Sequence, residues 1–132
     1  MKVPFYQVDA FADSLFSGNP AAVCLLESWL GTNRLQKVAA ENNLSETAFV
    51  MPAKRGKWAI RWFTPKVEVD LCGHATLAAA HVLFEERGEA KDELTFTSRS
   101  GDLKVSRLDG GVLGMDFPAL ATNVASVSPL LV

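Results

Sequence analysis

Cysteine is scarce in this sequence. Two residues in 132, Cys24 and Cys72, are too few for a disulfide scaffold and fit a reduced, cytosolic setting. An excess of positive charge is missing as well. Thirteen Lys and Arg against fifteen Asp and Glu leave a net charge of -2, which excludes a strongly basic nucleic-acid footprint. Long apolar runs are also lacking. The longest candidate, Ala75 to Phe84, contains His81 and falls short of the roughly 18 residues of a membrane span. Met1 to Phe11 roughly alternates apolar and polar residues, where a signal peptide needs a continuous apolar stretch of about 7–15. P-loop and dinucleotide fingerprints do not occur. His74 and His81 stand seven apart with no Cys or carboxylate completing a zinc spacing, so no metal site is expected. What remains is a chain that is 48% apolar and 21% charged, the composition of one globular domain.

Periodicity divides the chain. Val3 to Phe11 reads as a half-buried strand, Asp13 to Pro20 as a loop with a turn signal at Gly18-Asn19-Pro20, and Ala21 to Leu26 as a core strand. Thr32 to Asn42 follows as a helix, with Thr32 or Asn33 as the cap and Asn42-Asn43 as terminators. Thr47 to Met51 and Trp58 to Phe63 are strands joined by a turn around Gly56. Ala75 to Arg87 is a helix so apolar over its first three turns that it must be buried on most sides, and Gly88 ends it. Three strands are expected after it, at Glu93 to Thr97, Asp102 to Arg107 and Val112 to Asp116, with turns at Gly101 and Gly110-Gly111. The sum is an α+β fold of mostly antiparallel, hairpin-linked strands around one central apolar helix, about residues 74–87, with a second helix at about 32–42. Residues 118–132 carry no charged side chain and read as a tail or the start of a linker.

Few residues invite chemistry. Glu46, in L-S-E-T-A-F, stands between small polar neighbours and an apolar run, where partial desolvation suits a general acid or base; the plainer alternative is a solvent-facing glutamate. Gly73 and His74 open the apolar helix, whose N-terminal amides suit a carboxylate or phosphate; the alternative is a glycine needed for packing. His74 is a proton shuttle or a capping residue. Asp70 caps or orients the C-G-H turn. Cys72 is a nucleophile or a small buried hydrophobe, and Cys24 is core.

Four motifs in order, G-N-P-A-A-V (Gly18 to Val23), N-L-S-E-T-A-F-V (Asn43 to Val50), R-W-F-T-P (Arg61 to Pro65) and E-V-D-L-C-G-H-A-T-L-A-A-A-H-V-L (Glu68 to Leu83), resemble the PhzF-like isomerases of phenazine biosynthesis. D-A-F at Asp9 to Phe11 and F-T-S-R-S-G-D-L at Phe96 to Leu103 agree. The resemblance implies a diaminopimelate-epimerase-like fold of two lobes and cofactor-independent proton transfer in the cleft between them. It implies Glu46 as the acid/base, with His74 assisting. Ser45 and the backbone at Gly73 and His74 would hold the carboxylate of a small metabolite, and Asn19 would lie near the cleft; Asp70, just before the same turn, is a further candidate for substrate binding. The D-P-x-T-G-S-type motif of the family's second lobe does not occur here. Residues 1–117 therefore read as one lobe, and a homodimer would supply the second; neither nucleic acid nor membrane is expected as a partner. The alternatives are a non-catalytic lobe binding a small anion, or an inactive fragment of such an enzyme.

Overall fold

The computed structural model describes residues 3–10, 19–108 and 112–116, with backbone only at Ala10 and Asn19. The strands are β1 (Phe5–Ala10), β2 (Asn19–Leu25), β3 (Glu46–Pro52), β4 (Trp58–Phe63), β5 (Glu68–Val69), β6 (Glu93–Ser98), β7 (Gly101–Arg107) and β8 (Leu113–Asp116). The helices are α1 (Thr32–Asn42) and α2 (Gly73–His81), the latter continued by a π turn over Val82–Glu86. One mixed sheet runs in the order β1-β2-β3-β4-β6-β7-β8, with the short β5 pairing on β4.

Side-chain alternation makes this sheet the middle of a sandwich. Ala21, Val23 and Leu25 of β2, Ala48 and Val50 of β3, and Ile60 and Trp62 of β4 share one core with α2. Their chain neighbours Cys24, Phe49 and Phe63 turn to the other face, where Leu35 and Ala39 of α1 cover them. Strands buried on both faces show continuous apolar runs, as A-A-V-C-L and T-A-F-V do. Ala75 to Ala80 are all buried, and α2 touches β1, β2, β3 and β8. A helix that meets both end strands is one the sheet wraps around. Alanines permit it, because their small side chains let the strands approach from every side.

The sheet is mostly antiparallel, as expected, with two parallel pairs in it. β2 pairs parallel with β3, and β4 pairs parallel with β6. Parallel neighbours cannot be joined by a tight turn, so each pair needs a crossover, and α1 and α2 supply them. Asn19 and Pro20 are also strand rather than turn, pairing with Ala10 and Asp9. Pro20 costs no ladder bond on the other side, because the β3 register starts at Ala21. The expected α1 cap differs too. Gly31 holds the N-cap position without a side-chain bond, and the Thr32 hydroxyl instead accepts from Arg61 Nη2 at 3.1 Å. Asn43 ends α1 in the left-handed conformation (φ 51°), its N–H donating to the Ala39 carbonyl. The last turn of the α2 segment widens to a π turn, Arg87 N–H donating to the Val82 carbonyl, before Gly88 (φ 68°) stops it. The expected Asp13–Gly18 loop, the Gly110-Gly111 turn and the 118–132 tail lie outside the described residues.

Candidate functional site

Two chain ends meet at one edge of the core. Asn43 terminates α1, two residues follow, and β3 begins at Glu46. Glu46 has the parity of Ala48 and Val50, so its side chain falls on the α2 face. The register Ala21↔Glu46 puts it at the end of the sheet where β2 starts. The same end receives the N-terminus of α2, where Cys72 is the N-cap and Gly73 the first helical residue.

There Glu46 and His74 meet. His74 Nε2 lies 3.0 Å from Glu46 Oε1, with the two side chains only 15% and 17% exposed. His74 Nδ1 lies 3.6 Å from Cys72 Sγ. Burial pushes the His74 imidazole below its ordinary value of 6.5, opposed by the nearby Glu46 carboxyl. The ring is therefore mostly neutral at pH 7, and its close contact with Glu46 is not a full ion pair.

Cys72 completes the cluster. Its thiol is pushed up to about 12, chiefly by burial and further by the Glu46 carboxyl, while the N–H groups of Ala75 and His74 donate towards its sulfur and oppose the rise. Two amides at the start of α2 thus already face a side chain of this protein. Cys24 is also pushed up to about 12, by burial alone. At pH 8 such thiols are about 10⁻⁴ ionised, against roughly a quarter for an ordinary thiol. Native protein should take up iodoacetamide at Cys24 and Cys72 at least a thousandfold more slowly than urea-unfolded protein, read by mass spectrometry of the labelled peptides.

The expected metal-free site has a tertiary feature that spacing could not show. Glu46, Cys72 and His74 each offer one donor atom, and these lie within 4.8 Å of one another. Glu46 stands far from the other two in sequence, so no ligand spacing betrays the group.

The other expected site residues fall at varying distances from this pair. Gly73 is half-buried at the helix start, and Ser45 is exposed immediately before Glu46. Asn19 is the first residue of β2, at Glu46's end of the sheet, and its side chain lies outside the described residues. Asp70 does not cap α2. Its carboxylate is 77% exposed and pairs with Arg99 Nη2 at 2.9 Å. Its backbone carries the positioning instead, because the Asp70 carbonyl accepts from Ser100 Oγ at 2.7 Å.

That contact belongs to a bracket that the sequence left unseen. Arg99 and Ser100 form the turn between β6 and β7, and Arg99 Nη2 also lies 3.6 Å from Glu68 Oε1. Glu68 is gripped from β4 by Arg61, whose Nε and Nη2 each donate at 2.8 Å. The β6–β7 turn and β4 together hold the Glu68–Asp70 segment that delivers Cys72, Gly73 and His74. Arg99 and Ser100 stand some 30 positions from the segment they hold, and the motifs give no sign of the pairing.

The Arg61 hydrogen bonds hold the Glu68 carboxyl below its ordinary 4.5. A depressed folded value means that the unfolded chain binds the proton first as pH falls. The stability that Glu68 contributes is therefore complete above about 4.5 and is lost as pH drops through the folded value. Glu68→Gln should cost about 1–3 kcal/mol at pH 7. Its melting temperature should fall less steeply than the wild type's below pH 4.5, measured by circular dichroism from pH 7 to 3.

Comparison with known proteins follows this geometry. Residues 8–127 match the family described as phenazine biosynthesis-like protein, PhzC-PhzF. An uncharacterized isomerase of Pseudomonas aeruginosa is 60% identical over 119 residues, covering 90% of this chain and 45% of that protein. A crystal structure of a PhzF-family phenazine biosynthesis protein from Enterococcus faecalis superposes with a TM-score of 0.80 at 52% identity, covering 86% of this chain and 43% of that one. A hydroxyproline epimerase from Agrobacterium vitis, at 12% identity and a TM-score of 0.61 over 86% of this chain and 40% of that one, shares the fold alone. The chain thus spans less than half the length of these relatives. Among the described residues no helix is long and apolar enough to cross a membrane. With one mixed sheet wrapped around α2, and the family matching nearly the whole length, this chain belongs to the phenazine biosynthesis-like, PhzF family of isomerases with an epimerase-like fold.

Proposed function

We propose that this chain forms one wall of a cofactor-independent isomerase site that moves a proton on a small carboxylate-bearing metabolite. The observation that carries the reading is the half-buried Glu46–His74 pair, 3.0 Å apart at the mouth of the sheet. A carboxyl so placed can take a proton from carbon and return it elsewhere, and the neutral imidazole beside it can donate to the carboxyl or to the substrate. Gly73, without a side chain at the start of α2, leaves room for a substrate carboxylate near the positive end of the helix dipole. Ser45 and Asn19 flank the same end of the sheet. Asp70 acts through its backbone, fixing the approach to α2.

Proton abstraction from carbon needs a cleft that excludes water, and a single wall does not enclose one. A second copy of the chain supplies the facing wall in this reading, related by a two-fold axis. Two measurements test it. The mass in solution, from light scattering across a concentration series, should be that of a dimer; a strict monomer at the highest concentration would refute the paired wall. Solvent-deuterium incorporation into a panel of small carboxylates with an acidic C–H, followed by NMR in the presence of a chelator, should identify substrates. Saturable carboxylate binding with no incorporation at all would favour the anion-binding lobe.

A further inference from the structure

We propose that Glu46, Cys72 and His74 form a capture site for a borderline-soft divalent cation, Zn²⁺ in the first instance, in which the ion holds Glu46 and His74 and so blocks the chemistry assigned to them. The blocking rests on the isomerase reading, whereas the binding does not.

The donor set suits zinc: one sulfur, one imidazole nitrogen and one carboxyl oxygen, three ligands with a coordination position left over. Their atoms lie within 4.8 Å of one another. The ligand atoms of a tetrahedral zinc stand about 3.3–3.8 Å apart, given bonds of roughly 2.0–2.3 Å. The carboxyl stands 3.0 Å from His74 Nε2 and the sulfur 3.6 Å from Nδ1, so the imidazole must turn to offer a single nitrogen to an ion shared by all three. The widest separation has to close by about 1 Å, which side-chain torsions of Glu46 and His74 allow.

Charge and hydrogen bonding favour the ion as well. A thiolate and a carboxylate together cancel the charge of Zn²⁺, so a neutral centre replaces separate charges in a half-buried site. The N–H groups of His74 and Ala75 already donate towards the Cys72 sulfur, and they would carry part of its negative charge once it is bound to metal. As the S–Zn bond forms, the thiol proton leaves to solvent and no electron moves. The exposure of Glu46 and His74, 17% and 15%, gives the ion a way in.

Co²⁺ is the probe, because a Co²⁺–thiolate bond absorbs in the near ultraviolet and reports sulfur ligation without any turnover. Titrating the reduced chain with Co²⁺ should give this band at one ion per chain. Cys72→Ser should abolish it, and Glu46→Gln should weaken binding at least tenfold. X-ray absorption on the Zn²⁺-loaded wild type needs no variant to fold and should find one sulfur at about 2.3 Å with nitrogen or oxygen neighbours. No thiolate band in the wild type, a band that survives Cys72→Ser in folded protein, or a shell without sulfur would overturn the site. Zn²⁺ should also stop deuterium incorporation, reversed by chelator. Exchange in chelator that continues unchanged when Zn²⁺ saturates the site would overturn the blocking, while absence of exchange even in chelator speaks against the isomerase reading and leaves the optical result standing.

Discussion

Glu46→Gln is expected to slow deuterium incorporation into substrate by about 10²–10⁴-fold, the range that a positioned general acid or base supplies. Glutamine has the shape of the carboxyl but neither takes nor returns a proton at this pH. It also has nearly the volume of the carboxyl that packs 3.0 Å from His74 Nε2, and the α2 start is held separately through Thr76 and Trp62. The variant should therefore melt within about 1 kcal/mol of wild type and bind the substrate carboxylate with similar affinity. The loss falls in the chemical step, so single-turnover exchange is the measurement of choice, run with chelator present. Exchange that continues at the wild-type rate would place the proton transfer on another residue. His74→Gln should cost less, because the imidazole assists Glu46 rather than replacing it.

Trp62→Ala is expected to have the largest effect on stability, about 3–5 kcal/mol, a large share of the 5–15 kcal/mol that holds a domain together. Trp62 is 1% exposed, among the largest fully buried side chains, and faces α2 from β4. Removing it opens a cavity between sheet and helix that the alanines of α2 cannot fill. Its Nε1 also donates to Thr76 Oγ1 at 3.0 Å, and Thr76 Oγ1 donates to the Cys72 carbonyl at 2.8 Å. This chain of bonds ties β4 to the first turn of α2. Trp62→Phe keeps most of the apolar volume and breaks only that link, so it should cost about 1–3 kcal/mol. Urea denaturation should shift the midpoint for both variants and leave the slope unchanged. A Trp62→Ala protein with a wild-type midpoint would show that the helix is not held from β4.

Particular elements show how far sequence reaches. α1 spans Thr32–Asn42 and β4 spans Trp58–Phe63, the ranges that periodicity indicates. Asn43 ends α1 because asparagine tolerates the left-handed conformation, a local property of one residue. The burial of α2 on all sides follows from an almost uncharged run of small residues. Strand direction was not legible in the same way. A run such as A-A-V-C-L pairs equally well in either sense, and only the crossover helices make β2/β3 and β4/β6 parallel. Thr32 does not cap α1, because the N-cap falls one residue earlier, at Gly31, and the Thr32 hydroxyl accepts from Arg61, 29 positions away. Asp70 looked like a cap for a related reason: nothing local reveals that Arg99 takes its carboxylate and Ser100 its carbonyl.

For the site, local sequence determined the parts and tertiary structure their meeting. Motif and pattern pointed to Glu46 at the mouth of a strand and to Gly73 and His74 at a helix start, since those placements depend on side-chain period along the chain. That the carboxyl and the imidazole lie 3.0 Å apart depends on β3 and α2 packing through a shared core. The same packing brings Glu46 to Cys72 as well and makes a cysteine of undecided role the third corner of the proposed metal centre. Sequence encodes what each residue can do within a few neighbours along the chain. Which groups share a half-buried space is set by contacts between distant segments, and the proposed proton transfer and metal capture alike depend on that space.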